Sequence, residues 1–269
     1  MTKKVSLLIW SMICFVIIAP VIILILSSFK NEAQIFNRQT LLFFMPTFQN
    51  YTTLFSTSSF LTYFFNSLII GVFSTVITLL IGSMTAYGLK CIEFKFTQHL
   101  LVGSLILRIL PPAILIVPIF YIWNFLGIAD TKVGLIIVYI ALNIPFVIWI
   151  VYAFLDSISK SLIDAAKIDG CTHWKLYTTI IVPLIKPGLI AAGIFVFRVC
   201  WNEFILALIL TNRYTRTLPV YMSLFISEHN IAWGEIMAMG VIVSIPSLIV
   251  LIVAYKYIIT GFSFGGIKG

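Results

Sequence analysis

Apolar positions in this chain do not alternate with polar ones; they run on in long blocks. Six such runs, at about 7–29, 63–89, 100–126, 133–155, 184–210 and 236–259, meet the roughly 20 residues an α-helix needs to cross a hydrocarbon layer about 30 Å thick. Lipid offers no hydrogen bonds to the backbone, so only helices and closed barrels can span it. Barrel strands would read as alternating segments of about ten residues, and these runs do not alternate. The predicted fold is all-α: a polytopic membrane protein of about six transmembrane helices, a single domain over 1–269. The first run follows Lys3 and Lys4, carries Pro20 and ends in Ser27-Ser28-Phe29-Lys30. It is longer than a signal-peptide core of about 7–15 residues and lacks a small-residue cleavage pattern, so it reads as an uncleaved helix.

Composition sharpens this picture. Hydrophobic residues make up 61% and charged residues 10%, with a mean hydropathy of +1.12. A soluble domain carries about 25% charged residues, so membrane lipid is the expected solvent. The net charge of +8 sits on Lys and Arg scattered singly between apolar runs, which excludes a nucleic-acid surface. With the N-terminus inside, Lys and Arg favour the inner side by roughly two to one. Both termini and the polar segment 156–183 are therefore expected in the cytoplasm. Cys14, Cys91, Cys171 and Cys200 form no CxxC pair, and no HExxH, GxSxG or nucleotide-binding GxxxxGK[ST] occurs. No catalytic residue, metal site or bound cofactor is predicted. A polytopic membrane enzyme, the remote alternative, would need carboxylate or histidine clusters at the membrane surface, whereas His99, His173 and His229 are far apart.

The informative polar segment is 156–183. Residues 159–168 read as a short amphipathic helix, with Leu162, Ala165, Ala166 and Asp169 at i, i+3, i+4 and i+7. Gly170 is placed to end it. A helix this short is marginal alone and needs a partner surface. On these residues alone, an ordinary interfacial helix with solvated Asp164 and Asp169 stays open.

The segment resembles the signature loop of bacterial ATP-binding-cassette (ABC) importer permeases, E-A-A, three residues, G, nine residues, I-x-L-P. Here it reads Asp164-Ala165-Ala166, Gly170, then Ile180-Ile181-Val182-Pro183, with every spacing kept and Asp and Val standing for Glu and Leu. The likeness continues along the carbohydrate-uptake branch of the family. Asn50-Tyr51, Asn66-Ser67, Leu110-Pro111-Pro112, Leu126-Gly127, Pro145-Phe146, Trp201-Asn202-Glu203-Phe204, Thr217-Leu218-Pro219 and the terminal glycines from Gly261 to Gly269 carry it, in order, over some 220 residues.

The resemblance implies the ABC importer type I permease fold in a bacterial plasma (inner) membrane. It implies a homologous second permease subunit, two ABC ATPase subunits that hold the ATP and Mg, and an extracellular or periplasmic sugar-binding protein. The cargo implied is a sugar, first an oligosaccharide, with glycerol phosphate or a polyamine as the alternatives. Asp164, Ala165, Ala166, Asp169, Gly170 and Pro183 become the expected ATPase-docking residues of a cytoplasmic coupling helix.

Arg108, Asn143, Arg198, Asn202 and Glu203 lie inside apolar runs, where a charge costs several kcal/mol unless paired or hydrated. They are expected either to line a translocation pathway or to form an intramembrane polar network that locks helix packing. Arg198 departs from the family pattern, which carries a neutral residue there. Asn143, just before Pro145, is expected to point at a pathway or, in the first place, to bond a carbonyl that the proline kink frees.

Overall fold

The computed structural model describes residues 3–92, 95–109, 111–226 and 231–265. Leu110, His229 and the terminal Gly266-Ile267-Lys268-Gly269 lie outside them. Among the described residues, helices form nearly the whole chain: α1 (Lys3–Ser28), α2 (Glu32–Ile35), α3 (Gln49–Ser56), α4 (Ser58–Ile92), α5 (Thr97–Ile109), α6 (Pro112–Phe125), α7 (Lys132–Asp156), α8 (Lys160–Ile168), α9 (His173–Lys175), α10 (Val182–Asn202), α11 (Ile205–Leu210), α12 (Leu218–Ser223) and α13 (Trp233–Gly265). A π-helical stretch, Leu176–Ile181, joins α9 to α10. Five helical stretches are long and apolar enough to cross a membrane: Val5–Ser28, Ser59–Ile92, Lys132–Asp156, His173–Asn202 and Trp233–Val253.

The third apolar run differs from the single span expected at 100–126. It is two helices, α5 of 13 residues and α6 of 14. At 1.5 Å per residue each reaches about 20 Å, short of the 30 Å hydrocarbon core. The cause is Pro111-Pro112. A residue before proline is driven out of the helical region, and Pro111 sits at ψ 128°. Pro112 then starts α6 at a position where a missing N–H costs nothing. The fifth run also breaks: Glu203 is extended, with ψ 131°, between α10 and α11. The helix leading into that run, moreover, starts at His173, well inside the expected 156–183 loop.

By their contacts the helices group into two compact units, 1–64 with 218–248 and 65–217 with 249–269. In the first, α1 exposes nearly its whole surface, as a helix facing acyl chains or another subunit would. Its C-terminal end is tied down by α3. The Asn50 amide donates to the Ser28 and Lys30 carbonyls at 2.8 and 2.9 Å, and the Tyr51 and Ser28 hydroxyls meet at 2.7 Å. Lys30, only 3% exposed, donates to the Leu41 carbonyl at 3.0 Å, and burial pushes its ammonium pKa down.

The second unit holds both candidate sites. Its helices approach closely through small residues, as membrane helices do when packing must replace the hydrophobic effect. A Cβ on Gly82 would come within 2.6 Å of Val147 on α7, and one on Gly188 would overlap the Phe154 ring. The buried core between α7 and α10 contains Leu135, Val147, Val151, Ile185, Ala192 and Val196. Trp123 Nε1 donates to the Gly134 carbonyl at 2.9 Å and so anchors α6 to the start of α7.

Candidate functional site

Two regions of the second unit gather the polar residues singled out by the sequence. The first is the connection between α7 and α10. Ser159 caps α8, its hydroxyl accepting from the Leu162 N–H at 3.3 Å. The helix ends on Gly170 at φ +78°, a left-handed position that glycine alone takes without penalty. There the Gly170 N–H donates to the Lys167 carbonyl and the Cys171 N–H to the Ala166 carbonyl, both at 3.0 Å. These bonds fix a sharp exit, and Thr172 immediately caps the next turn at Lys175.

The face that α8 presents is thereby defined. Asp164, Ala165, Asp169, Gly170 and Pro183 are exposed, whereas Ala166 is 6% exposed and packs into the chain itself. Ala166 thus lets α8 approach the body closely rather than facing outward. Two apolar residues outside the expected set join the exposed face: Ile168 at 86% and Trp174 at 63% exposure. Both side chains are carried on the capped segment that follows α7. The sequence carried that signal in the one position of the α8 pattern, Ile168, that fits no inward stripe.

This loop is bound to the long helix α4. The Tyr177 and Ser83 hydroxyls lie 2.7 Å apart, and Tyr87 donates to the His173 carbonyl at 3.2 Å. The Tyr87 and Tyr177 rings are 5.2 Å apart. Lys90, near the end of α4, pairs with Asp156 at 2.5 Å. Beside it lies a small cleft of about 90 Å³ between α8 and the ends of α4 and α7. None of Ser83, Tyr87 and Tyr177 was expected, because the pairing spans 94 residues of sequence and leaves no local trace.

The second region lies among α5, α6, α7, α10 and α11, around a cavity of about 360 Å³ bordered by Arg108, Tyr139, Asn143, Cys200 and Glu203. Glu203 makes the break in the fifth run possible. Its carboxylate accepts from the Leu206 and Ala207 N–H groups at 2.9 and 3.0 Å and from the Tyr139 hydroxyl at 2.8 Å. It therefore caps the open N-terminus of α11, whose N–H groups and helix dipole favour a negative charge. Asn143 is buried and donates to the Tyr139 carbonyl at 2.8 Å, so it reinforces its own helix. That carbonyl is not the one Pro145 leaves without a donor, which belongs to Ala141. Asn202 likewise turns back to the Arg198 carbonyl at 2.8 Å.

The arginines are arranged differently. The Arg108 guanidinium lies over Phe146 and Phe195, 4.2 and 4.8 Å from their ring centres, and Arg198 lies 5.3 Å from the Phe195 centre. Local sequence gave no hint that Arg198 shares Phe195 with Arg108, since the two arginines are carried on different helices.

Apolar helices of membrane-spanning length, interrupted by broken segments beside a polar cavity, define a polytopic membrane protein as the class. The chain belongs to the family of binding-protein-dependent transport system inner membrane components, whose pattern matches residues 78–263. It is 35% identical over 272 residues to the trehalose/maltose transport system permease protein of Thermococcus litoralis, covering 99% of this chain and 98% of that one. It is 33% identical over 252 residues to the sulfoquinovosyl glycerol transport system permease protein of Agrobacterium fabrum, covering 93% and 88%. Its fold is that of a chain in the crystal structure of a bacterial ABC transporter involved in the import of the acidic polysaccharide alginate. The TM-score there is 0.79, with 21% identity and 95% of each chain covered.

Proposed function

We propose that this chain is one permease half of an ABC importer that carries a sugar, an oligosaccharide in the first place, into the cell. Supporting the cargo class, the relatives named above are permeases for trehalose/maltose and sulfoquinovosyl glycerol, and a third, 31% identical, is an arabinooligosaccharide permease of Bacillus subtilis. A homologous permease forms the other half, a sugar-binding protein delivers the cargo outside, and ATP with Mg is held and hydrolysed on two separate ATPase subunits. Both termini and α8 face the cytoplasm. Asp164, Ala165, Asp169, Gly170, Ile168 and Trp174 form the surface on which one ATPase docks.

The single observation that carries the docking role is the outward, doubly capped α8 whose loop is tied to α4 by Tyr177–Ser83 and Tyr87–His173. A helix held at both ends can transmit a rigid-body displacement, which a floppy loop could not. Tilting α4 and α10 together would then open the pathway to one side of the membrane at a time. Purification of the tagged chain from native membrane, followed by uptake in proteoliposomes, tests this. Recovery of an ATPase and a second permease, with ATP-dependent sugar uptake, is the expected result; a chain that purifies alone from membrane in which it is active would overturn it.

A further inference from the structure

We propose that the loop after α1 is a membrane-surface anchor, with residues 41–45 dipping their side chains into the lipid leaflet at the C-terminal end of α1. Four large apolar side chains stand outward there: Leu41 at 56% and Leu42 at 62% exposure, Phe43 at 87% and Met45 at 84%. They fall within one short stretch of chain and so form one patch. That stretch is far short of the roughly 20 residues a span needs, so it can lie on a membrane but not cross it.

What covers the patch follows from its level. The span Val5–Ser28 is about 36 Å long at about 1.5 Å per residue, so Phe29 and Lys30 stand at the edge of the hydrocarbon. The loop is bonded to those two residues. The Thr47 N–H donates to the Phe29 carbonyl at 2.8 Å, and Lys30 Nζ donates to the Leu41 carbonyl at 3.0 Å. Between the outward residues, the Phe44 ring turns back over the Lys30 ammonium, 4.7 Å away. The patch is therefore held where acyl chains meet headgroups. Irregular backbone is costly near lipid unless its polar groups are paired. Here the Leu41 carbonyl has Lys30, and the Met45 carbonyl accepts from the Gln34 side-chain amide at 3.3 Å. The four outward side chains offer no hydrogen bond, whereas a protein–protein interface forms about one per 100–200 Å². Leucine and phenylalanine are what interfacial segments bury in the acyl boundary, and the exposed Arg38 just upstream suits a lipid phosphate.

The assembled importer, with its partner subunits and solute-binding protein, is placed in vesicles of phosphatidylethanolamine and phosphatidylglycerol. Photoreactive benzoylphenylalanine replaces Phe43 or, separately, Met45, and mass spectrometry identifies what each has joined after irradiation. The expected result is a phospholipid adduct at both positions. The adduct from the probe at 45 should be lost when Phe43→Asp is added, because a carboxylate resists burial in lipid. Both side chains are almost wholly exposed, so replacing them removes no core packing. A cross-link to the partner permease or to the solute-binding protein overturns the inference in favour of a protein contact. The absence of any lipid adduct overturns it too, as does a lipid yield at 45 that Phe43→Asp leaves unchanged. ATP-driven uptake, measured on the same vesicles, tests the transport reading separately, and the anchor can fail without it.

Discussion

Gly170 and Glu203 show how single residues set the two candidate sites. At Gly170 the φ of +78° means that any side chain meets its own carbonyl, a penalty of about 1–2 kcal/mol. Space is not the obstacle, since a Cβ there has no neighbour within 4 Å. Gly170→Ala should therefore lower the thermal unfolding midpoint in detergent only modestly. It should depress ATP-driven uptake far more than solute-independent ATP hydrolysis, because the exit angle of α8 changes. Equal loss of both activities would argue against a coupling role. Glu203 carries three hydrogen bonds on two oxygens. Glu203→Gln keeps the shape but turns one acceptor into a donor, so at least one N–H or the Tyr139 hydroxyl loses its partner. A cost of about 1–3 kcal/mol is expected, read as a lower unfolding midpoint. The Tyr139→Phe double variant should fall short of additivity, because both changes remove the same bond.

Elements show how far sequence carries. The apolar spans were legible because lipid leaves a chain no cheaper arrangement than a helix. The α8 segment was legible as well, since Ser159, the 3–4 spacing of its small residues and Gly170 each act locally. The break after Asn202 was not. Residues 200–210 contain neither glycine nor proline, and the interruption depends on a carboxylate reaching Tyr139, 64 residues away. The third run gave a half-signal: its prolines were visible, but whether they kink a helix or divide it depends on what satisfies the freed backbone. Close helix packing was hidden for the same reason, since Gly82 and Gly188 matter only through Val147 and Phe154. Gly188→Leu should cost about 1–3 kcal/mol or more by forcing α7 and α10 apart, measured as loss of folded protein on heating. Lys90–Asp156, by contrast, is a pair whose Asp side chain is 67% exposed. Replacing both with alanine should change stability by no more than about 1 kcal/mol.

For the molecule as a whole, orientation is the claim from which the rest descends. The bias of Lys and Arg predicts that α8 faces inward together with both termini. Cys171, one residue past the α8 cap and partly exposed, provides a natural reporter. A membrane-impermeant maleimide should label it in inside-out vesicles and leave it unmodified in intact cells, whereas a cysteine placed at Asp130 should show the reverse. Labelling of Cys171 from outside would invert the arrangement and remove the docking surface from the ATP side.

The hydroxyl contact between Tyr177 and Ser83 also obliges something of the cargo. Free energy of coupling has no preferred direction: if seating a motor subunit changes how tightly the buried chamber holds its guest, the guest must change the motor's grip by an identical factor. The chain would then report occupancy to the compartment where the fuel is spent, and Tyr177→Phe should dull that message without silencing the hydrolysis itself.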